Sequence, residues 1–332
     1  MGTRGVSWRA TWGLVLVWSF VSSSGCDSGS APSYTPVSAT SQGSLYTLEL
    51  GDLKLVIDAS EGARITEFSL RGNDVLTGTS VDASNYGSTF WPSPQSSWCS
   101  AGGNCWPPIG AIDYQPYIAT IDAATNVIQL TSGTATLAGV PGSMFTVIKQ
   151  FTPLPTSGAV DVTYTLTNTS PDVTISVAPW QVSRVLDTGG MTFFASPAGS
   201  VTYSAGTDPT FTFTHPDGNL WYEFKPVTSN SKGLADGSGW LAHVTRGGLM
   251  YLLAYPDIGP SEAAPGEAEV ELFTGQGSGY VEIETQGALT SVAPGGTLVW
   301  TVRWKLRELP FGTRAAVGSA ALASFAASQL AQ

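Results

Sequence analysis

Three glutamates in the last third of the chain, Glu271, Glu282 and Glu284, are of the right type and spacing to move protons. They lie in Ala268 to Trp304, AEVELFTGQGSGYVEIETQGALTSVAPGGTLVWTVRW, which reads as three antiparallel strands separated by glycine-rich turns. Alternate side chains of a strand share a face. Glu269, Glu271 and Phe273 therefore point one way from the first strand, and Tyr280, Glu282 and Glu284 one way from the second. Carboxylates two positions apart on a strand are about 7 Å from each other. Strands disfavour acidic residues, and such neighbours repel unless water, a cation or a ligand relieves them. The face is then either simply solvated or part of a site in which paired carboxyl groups do general acid–base work.

A second stretch carries binding chemistry. Asn85 to Ile109, NYGSTFWPSPQSSWCSAGGNCWPPI, reads as a long loop holding Trp91, Trp98 and Trp106 among four prolines. Loops of this length in a compact domain have a function or their own packing. Flat indole faces match the apolar C–H faces of sugar rings, while Asn85, Gln95, Ser96 and Ser97 offer hydrogen bonds to hydroxyls. The loop reads as one wall of a saccharide site, with at least one tryptophan packed beneath it. In the segment Thr163 to Asp187, Trp180 and Arg184 end a strand, and Arg184 suits either a carboxylate of the site or a substrate oxygen. No phosphate loop is present. His215 opens a His-Pro-Asp-Gly turn and reads as exposed; His243, in an apolar run, reads as a hydrogen-bonded core histidine.

The elements that must position these residues are strands. Leu45 to Ile57, Ile65 to Leu70, Tyr117 to Ile121, Val127 to Leu130, Met144 to Phe151 and Val160 to Leu166 are short runs rich in Val, Ile, Thr and aromatics, cut by Gly, Pro and Asn. The pattern continues through Val173 to Val185 and into the hairpins after Met191. The class is all-β, a large antiparallel sandwich, with one domain expected over 45–310. Residues 26–44 read as a Ser/Pro/Gly-rich tether, and 311–332 as an Ala-rich C-terminal tail or helix.

Of 332 residues, 42% are hydrophobic and only 12% charged, so the chain can bury a large core. A net charge of -11, with 14 Lys+Arg thinly spread, gives no basic stripe for a phosphate backbone and argues against nucleic acid. Residues 1–25 combine Arg4 and Arg9, an apolar run and Ser22-Ser23-Ser24-Gly25 before Cys26, which is the pattern of an export signal peptide. Cys99 and Cys105 are spaced to pair in an oxidising compartment. Cys26 is then the odd cysteine, and lipidation at a new N-terminus explains it. We therefore expect an exported, membrane-anchored envelope lipoprotein of bacterial type, the alternative being ordinary cleavage nearby and free release. With neither histidine near the cysteines, we expect no metal site and no cofactor.

Tyr-Val-Glu-Ile-Glu-Thr-Gln-Gly, then Ala-Pro-Gly-Gly-Thr and Leu-Val-Trp-Thr-Val-Arg-Trp, resembles the C-terminal signature of the galactose mutarotase (aldose 1-epimerase) superfamily. Gly62-Ala63-Arg64-Ile65, the Trp-Pro-x-Pro-Gln-x-x-Trp segment from Trp91 and Ala178-Pro179-Trp180-Gln181 extend the resemblance to a mutarotase-like domain family of unknown function, over roughly Leu45 to Leu306. The resemblance implies a β-supersandwich that binds a saccharide in a concave sheet, with Glu284 on the position of the catalytic base. The acid histidine of that superfamily has no counterpart here, where Ala178 to Gln181 stand. Its loss costs about 10²- to 10⁴-fold in rate. The readings that follow are a saccharide-binding protein, a carbohydrate-active enzyme using Glu284, with Glu282 or Glu271, and a structural envelope protein. The candidate site residues are Glu284 and Glu282 for catalysis and Trp91, Gln95, Trp98, Trp106, Trp180, Arg184, Glu271 and Tyr280 for the saccharide.

Overall fold

Runs of β-branched and aromatic residues, cut every few positions by glycine or proline, fold as an all-β chain. The computed structural model describes residues 1, 2 and 35–332. Apart from Met1 and Gly2, the expected signal peptide lies outside the described residues, as does Cys26. Tyr34–Gln332 forms one compact unit.

The first strands are β1 (Val37–Gln42), β2 (Leu45–Leu50), β3 (Leu53–Asp58), β4 (Arg64–Leu70), the short β5 (Asn73–Asp74) and β6 (Ser88–Ser93). A single helical turn, α1 (Gly110–Asp113), precedes β7 (Ile118–Asp122), β8 (Val127–Thr131), β9 (Phe145–Leu154), β10 (Ala159–Asn168) and β11 (Ile175–Leu186). Then come β12 (Met191–Ala195), β13 (Val201–Tyr203), β14 (Asn219–Glu223), β15 (Ser231–Ala235), β16 (Trp240–Val244) and β17 (Leu249–Ala254). The chain ends with β18 (Val270–Thr274), β19 (Tyr280–Gln286), β20 (Thr290–Val292), β21 (Thr297–Glu308) and α2 (Ala320–Leu330).

Two antiparallel sheets result. The larger, of 12 strands, runs β1-β2-β3-β4-β6-β11-β19-β18-β15-β13, with β5 beside β4 and β20 beside β11. The smaller, of 9 strands, runs β14-β12-β16-β17-β21-β10-β9-β8-β7. Aromatic side chains lock the two together: Phe68 of the larger sheet meets Tyr251 and Trp304 of the smaller, and Phe90 stacks on Tyr164 at 4.5 Å. Gln181 also points into this core, where Tyr164 Oη and Trp304 Nε1 both donate to its Oε1. Helix α2 begins at Ser319, whose hydroxyl accepts from Leu322 N, and Leu322 and Ala326 join a second apolar cluster with Phe193, Trp221 and Met250.

Three expectations are corrected. Val37–Gln42 is not tether: it forms β1 in continuous register with β2, so the folded part starts before Leu45. The stretch 268–304 is not one three-stranded unit, because β21 leaves β19 and pairs with β10 and β17 in the other sheet. Nor is Asn85 to Ile109 loop throughout, since Ser88–Ser93 is a central strand between β4 and β11. Proline at 92 disguised a strand that tolerates it because Pro92 sits opposite Pro179, where no ladder N–H is available from either residue, and Pro94 follows just past the strand's end.

Candidate active site

Register fixes the site. Residues directly opposite in an antiparallel pair share a face. Glu271 lies opposite Glu284, and Phe273 opposite Glu282. On the other side of β19, Arg184 is opposite Glu282 and Trp180 opposite Gln286. Trp91 is opposite Trp180, and Lys232 of β15 is opposite Phe273. One outer face of the larger sheet therefore carries Trp91, Trp180, Arg184, Glu282, Glu284, Gln286, Glu271 and Lys232. Leu272 and Ile283, which alternate with the acids, supply the apolar core.

This face is not solvated. Glu271 is 0% and Glu284 1% exposed, which overturns the reading of an open acidic surface. Cations relieve the repulsion. Lys232 Nζ bridges Glu271 Oε2 and Glu284 Oε2, the latter at 3.2 Å, and lies 4.9 Å from the Trp180 ring centroid. Trp180 Nε1 donates to Glu284 Oε2 at 3.0 Å. Ala268 N and Gln286 Nε2 donate to Glu271 Oε1 at 2.8 and 2.9 Å. Arg184 Nε pairs with Glu282 Oε1 at 3.0 Å, and its guanidinium sits over Trp91. Burial pushes the carboxyls of Glu271 and Glu284 up, with Lys232 pulling against it. Burial pulls Lys232 down, but Glu284 and Glu271 more than offset it, so the ammonium stays charged. Three polar atoms of this face have no partner among the described residues: Glu284 Oε1, Arg184 Nη2 and Gln286 Oε1.

The 94–109 segment closes over the tryptophans. Trp98 packs against Trp91 and Trp180 at 5.5 and 5.9 Å between centroids, and its Nε1 donates to Pro92 O. The Cys99–Cys105 disulfide, expected from the spacing, ties the tip of this segment. Gln95 is also held in place, its N donating to Glu267 and its Nε2 to Cys105 O. Trp91, Trp98 and Trp180 are thus buried and present no open face to a sugar ring, a correction to their assignment as stacking residues. Tyr280 is buried too, its hydroxyl accepting from Asn85 Nδ2 at 2.7 Å. Of the four tryptophans proposed, Trp106, at 48% exposure, is the accessible one.

Trp106 lines a cavity of about 340 Å³ between the 82–86 loop, α1 and the 106–108 segment. Glu61, Arg64, Asn85, Tyr86 and Tyr114 also line it. Buried Arg64 forms its base: Nη1 donates to Ser84 O and Tyr86 O, and Nη2 pairs with Asp113 Oδ2 at 3.2 Å, while Nε has no partner. Asp113 Oδ1 in turn accepts from Trp91 Nε1 at 2.8 Å. Asn85 Nδ2 reaches Glu282 Oε1 at 2.7 Å, so the cavity wall rests on the buried ion pair. Asp82 shapes the loop by accepting from Ser84 N and Asn85 N. Arg64 and Tyr86 stood in sequence motifs without a site role, whereas Lys232, Tyr114 and Asp113 carried no recognisable signal.

His243 lies on β16 of the smaller sheet, so it cannot supply an acid to the Glu284 face. Its Nδ1 bonds Thr192 Oγ1 at 3.0 Å, and burial lowers its pKa to about 3. It borders a separate groove of about 960 Å³ that shares no residue with the glutamate cluster. Among the described residues, no three His, Cys, Asp or Glu side chains are placed to hold a metal ion.

Among solved structures the fold is similar to a galactose mutarotase-like protein from Lactobacillus casei, at 12% identity and a TM-score of 0.55, over 79% of this chain and 100% of that one. A galactose mutarotase related enzyme from Lactobacillus acidophilus matches at 10% identity and 0.53, over 82% and 100%. A galactose mutarotase-like protein from Clostridium acetobutylicum matches at 11% and 0.50, over 83% and 99%. At these identities the likeness is one of fold, and the chain has the galactose mutarotase-like β-sandwich. No protein-family model and no curated protein matches it.

Proposed function

We propose that this mutarotase-like chain is an exported protein that binds a saccharide in the cavity beside Trp106, and that Glu284 belongs to the framework rather than to a catalytic step. The observation that carries the reading is the combination of the exposed rings of Trp106 and Tyr114 with the polar side chains of Glu61 and Asn85 in one cavity of about 340 Å³. Ring faces of Trp106 and Tyr114 suit the C–H face of a pyranose. Tryptophan fluorescence titrated with mono- and oligosaccharides tests this. A saturable change that Trp106→Ala removes is expected; silence across the panel refutes it.

One observation favours an enzyme. Glu284 Oε1 is buried and unpartnered, and burial raises its carboxyl, as a general base requires. Ring opening would further need a group to protonate the ring oxygen and a path to Glu284 past Trp180 and Lys232. Anomer exchange followed by NMR decides: turnover abolished by Glu284→Gln would replace the binding reading. Export and acylation at Cys26 rest on the sequence of residues 1–26 and on Cys99 and Cys105 being paired. Mass spectrometry of the mature N-terminus should find a lipid on Cys26; an unmodified terminus elsewhere refutes the anchor.

A further inference from the structure

Resting on the saccharide reading of that cavity, we propose that its ligand is an amino sugar, with the protonated amine received by the Glu61 carboxylate and the faces of Tyr86, Trp106 and Tyr114. Three aromatic residues, Tyr86, Trp106 and Tyr114, line one cavity of about 340 Å³, and ring faces attract cations through their quadrupole. The Tyr86 ring already holds one cation in this way, with the Arg64 guanidinium 4.7 Å from its centroid.

Charge accounting selects the ligand class. Arg64 and the buried Lys149, whose ammonium donates to Gly62 O and acts on Asp113 as well, share that carboxylate, and three of Arg64's N–H directions are spent on Ser84 O, Tyr86 O and the Asp113 carboxylate. One cation is thus left over against the acids around the cavity. Arg184, behind Asn85, is neutralised by Glu282. Two negative charges remain without a basic partner among the described residues. Asp82 spends its carboxylate on the loop's own N–H and hydroxyl groups. Glu61, exposed at the rim, makes no side-chain hydrogen bond or ion pair. The cavity therefore presents surplus negative charge, one free carboxylate and electron-rich ring faces within a chain of net charge -11. A uronate or a sugar phosphate would meet repulsion there, and a hexosamine attraction. Asn85 Oδ1, free while Nδ2 serves Tyr280 and Glu282, adds an acceptor for an ammonium or hydroxyl proton.

Calorimetric titration of the full chain with three probes tests this: a glucosamine disaccharide, its N-acetylated counterpart and a galacturonate disaccharide, all at pH 6 and low salt. The amine should bind about tenfold tighter than the N-acetylated form, and the uronate weakest. Glu61→Gln should shrink the amine preference to about twofold, and added salt should shrink it as well. Equal affinities for amine and N-acetyl forms, a preference for the uronate, or a preference that survives Glu61→Gln overturns the proposal while leaving saccharide binding intact. Failure of all three probes and of the wider sugar panel removes the saccharide reading itself.

Discussion

Replacing Lys232 with methionine should destabilise the protein by about 3 kcal/mol at neutral pH, and the loss should shrink as the solution is acidified. Among the described residues, Lys232 is the one cation on both Glu271 and Glu284, which stand directly opposite each other on β18 and β19. Removing one member of a buried ion pair typically costs about 3–5 kcal/mol, because the other is left charged and unsolvated. The lower end applies here, since a fifth of the Lys232 side chain is exposed and Trp180, Gln286 and Ala268 still donate to the two carboxylates. The sign of the pH dependence follows from the carboxyls. Burial already raises both above their unfolded values, and removing the ammonium raises them further. A raised carboxyl favours the folded state below its unfolded pKa and loses that contribution as pH rises through the folded pKa. Lys232→Met should therefore lag the parent most near pH 8 and least near pH 4. Equilibrium urea unfolding across that range measures it. Lys232→Met combined with Glu271→Gln and Glu284→Gln should recover most of the loss, because no buried charge is left unpaired. A loss under about 1 kcal/mol that does not vary with pH would refute the buried ion network.

Trp106→Ala should weaken saccharide binding about tenfold or more with under about 0.5 kcal/mol change in stability, since the side chain is half exposed; calorimetry and urea unfolding read the two separately. His243 is buried with a pKa near 3 against an ordinary 6.5, so its contribution is lost as pH falls from 6.5 to 3. That amounts to about 5 kcal/mol at most, and His243→Asn should unfold less steeply in acid than the parent. Gly62→Ala should be severely destabilising, by about 3 kcal/mol or more. The position has φ +63°, and a Cβ there would stand 2.2 Å from Asp113 O, in the backbone of α1. Thermal melting shows it, and a melting point within a degree of the parent would contradict the packing described.

Strand class and the shared face of Glu282 and Glu284 were legible because both follow from a period of two in a single segment. The pairing of Cys99 with Cys105 was legible from spacing, and His243 from its apolar surroundings. Burial of the acidic face was not. Its counter-charges come from other strands: Lys232 stands 52 residues from Glu284, and Arg184 98 residues from Glu282. Strand β15, Ser-Lys-Gly-Leu-Ala, has neither alternation nor β-branching, so only the sheet order brings its lysine to the glutamates. The tryptophans misled for a related reason. Composition shows that a segment is rich in indole, but whether an indole faces solvent or a neighbour depends on which strand the segment joins, and β6 is central rather than a loop.

The sealed and the open parts of this face are one mechanical unit. Two chains of contacts run from buried charge to cavity wall: Arg184 to Glu282 to Asn85 on one side, and Trp91 to Asp113 to Arg64 on the other. Arg184 ties the two together, since its guanidinium lies over Trp91 while pairing with Glu282. A residue with no surface of its own thus positions both walls of the cavity. Arg184→Lys keeps the charge but cannot bond Glu282 and Thr89 in the same fork, so Asn85 loses its fixed anchor. Saccharide affinity should fall several-fold in that variant although no ligand-facing atom has changed. An affinity equal to the parent's would mean that the cavity is held by its own loop and that the buried ion pairs serve the sandwich alone.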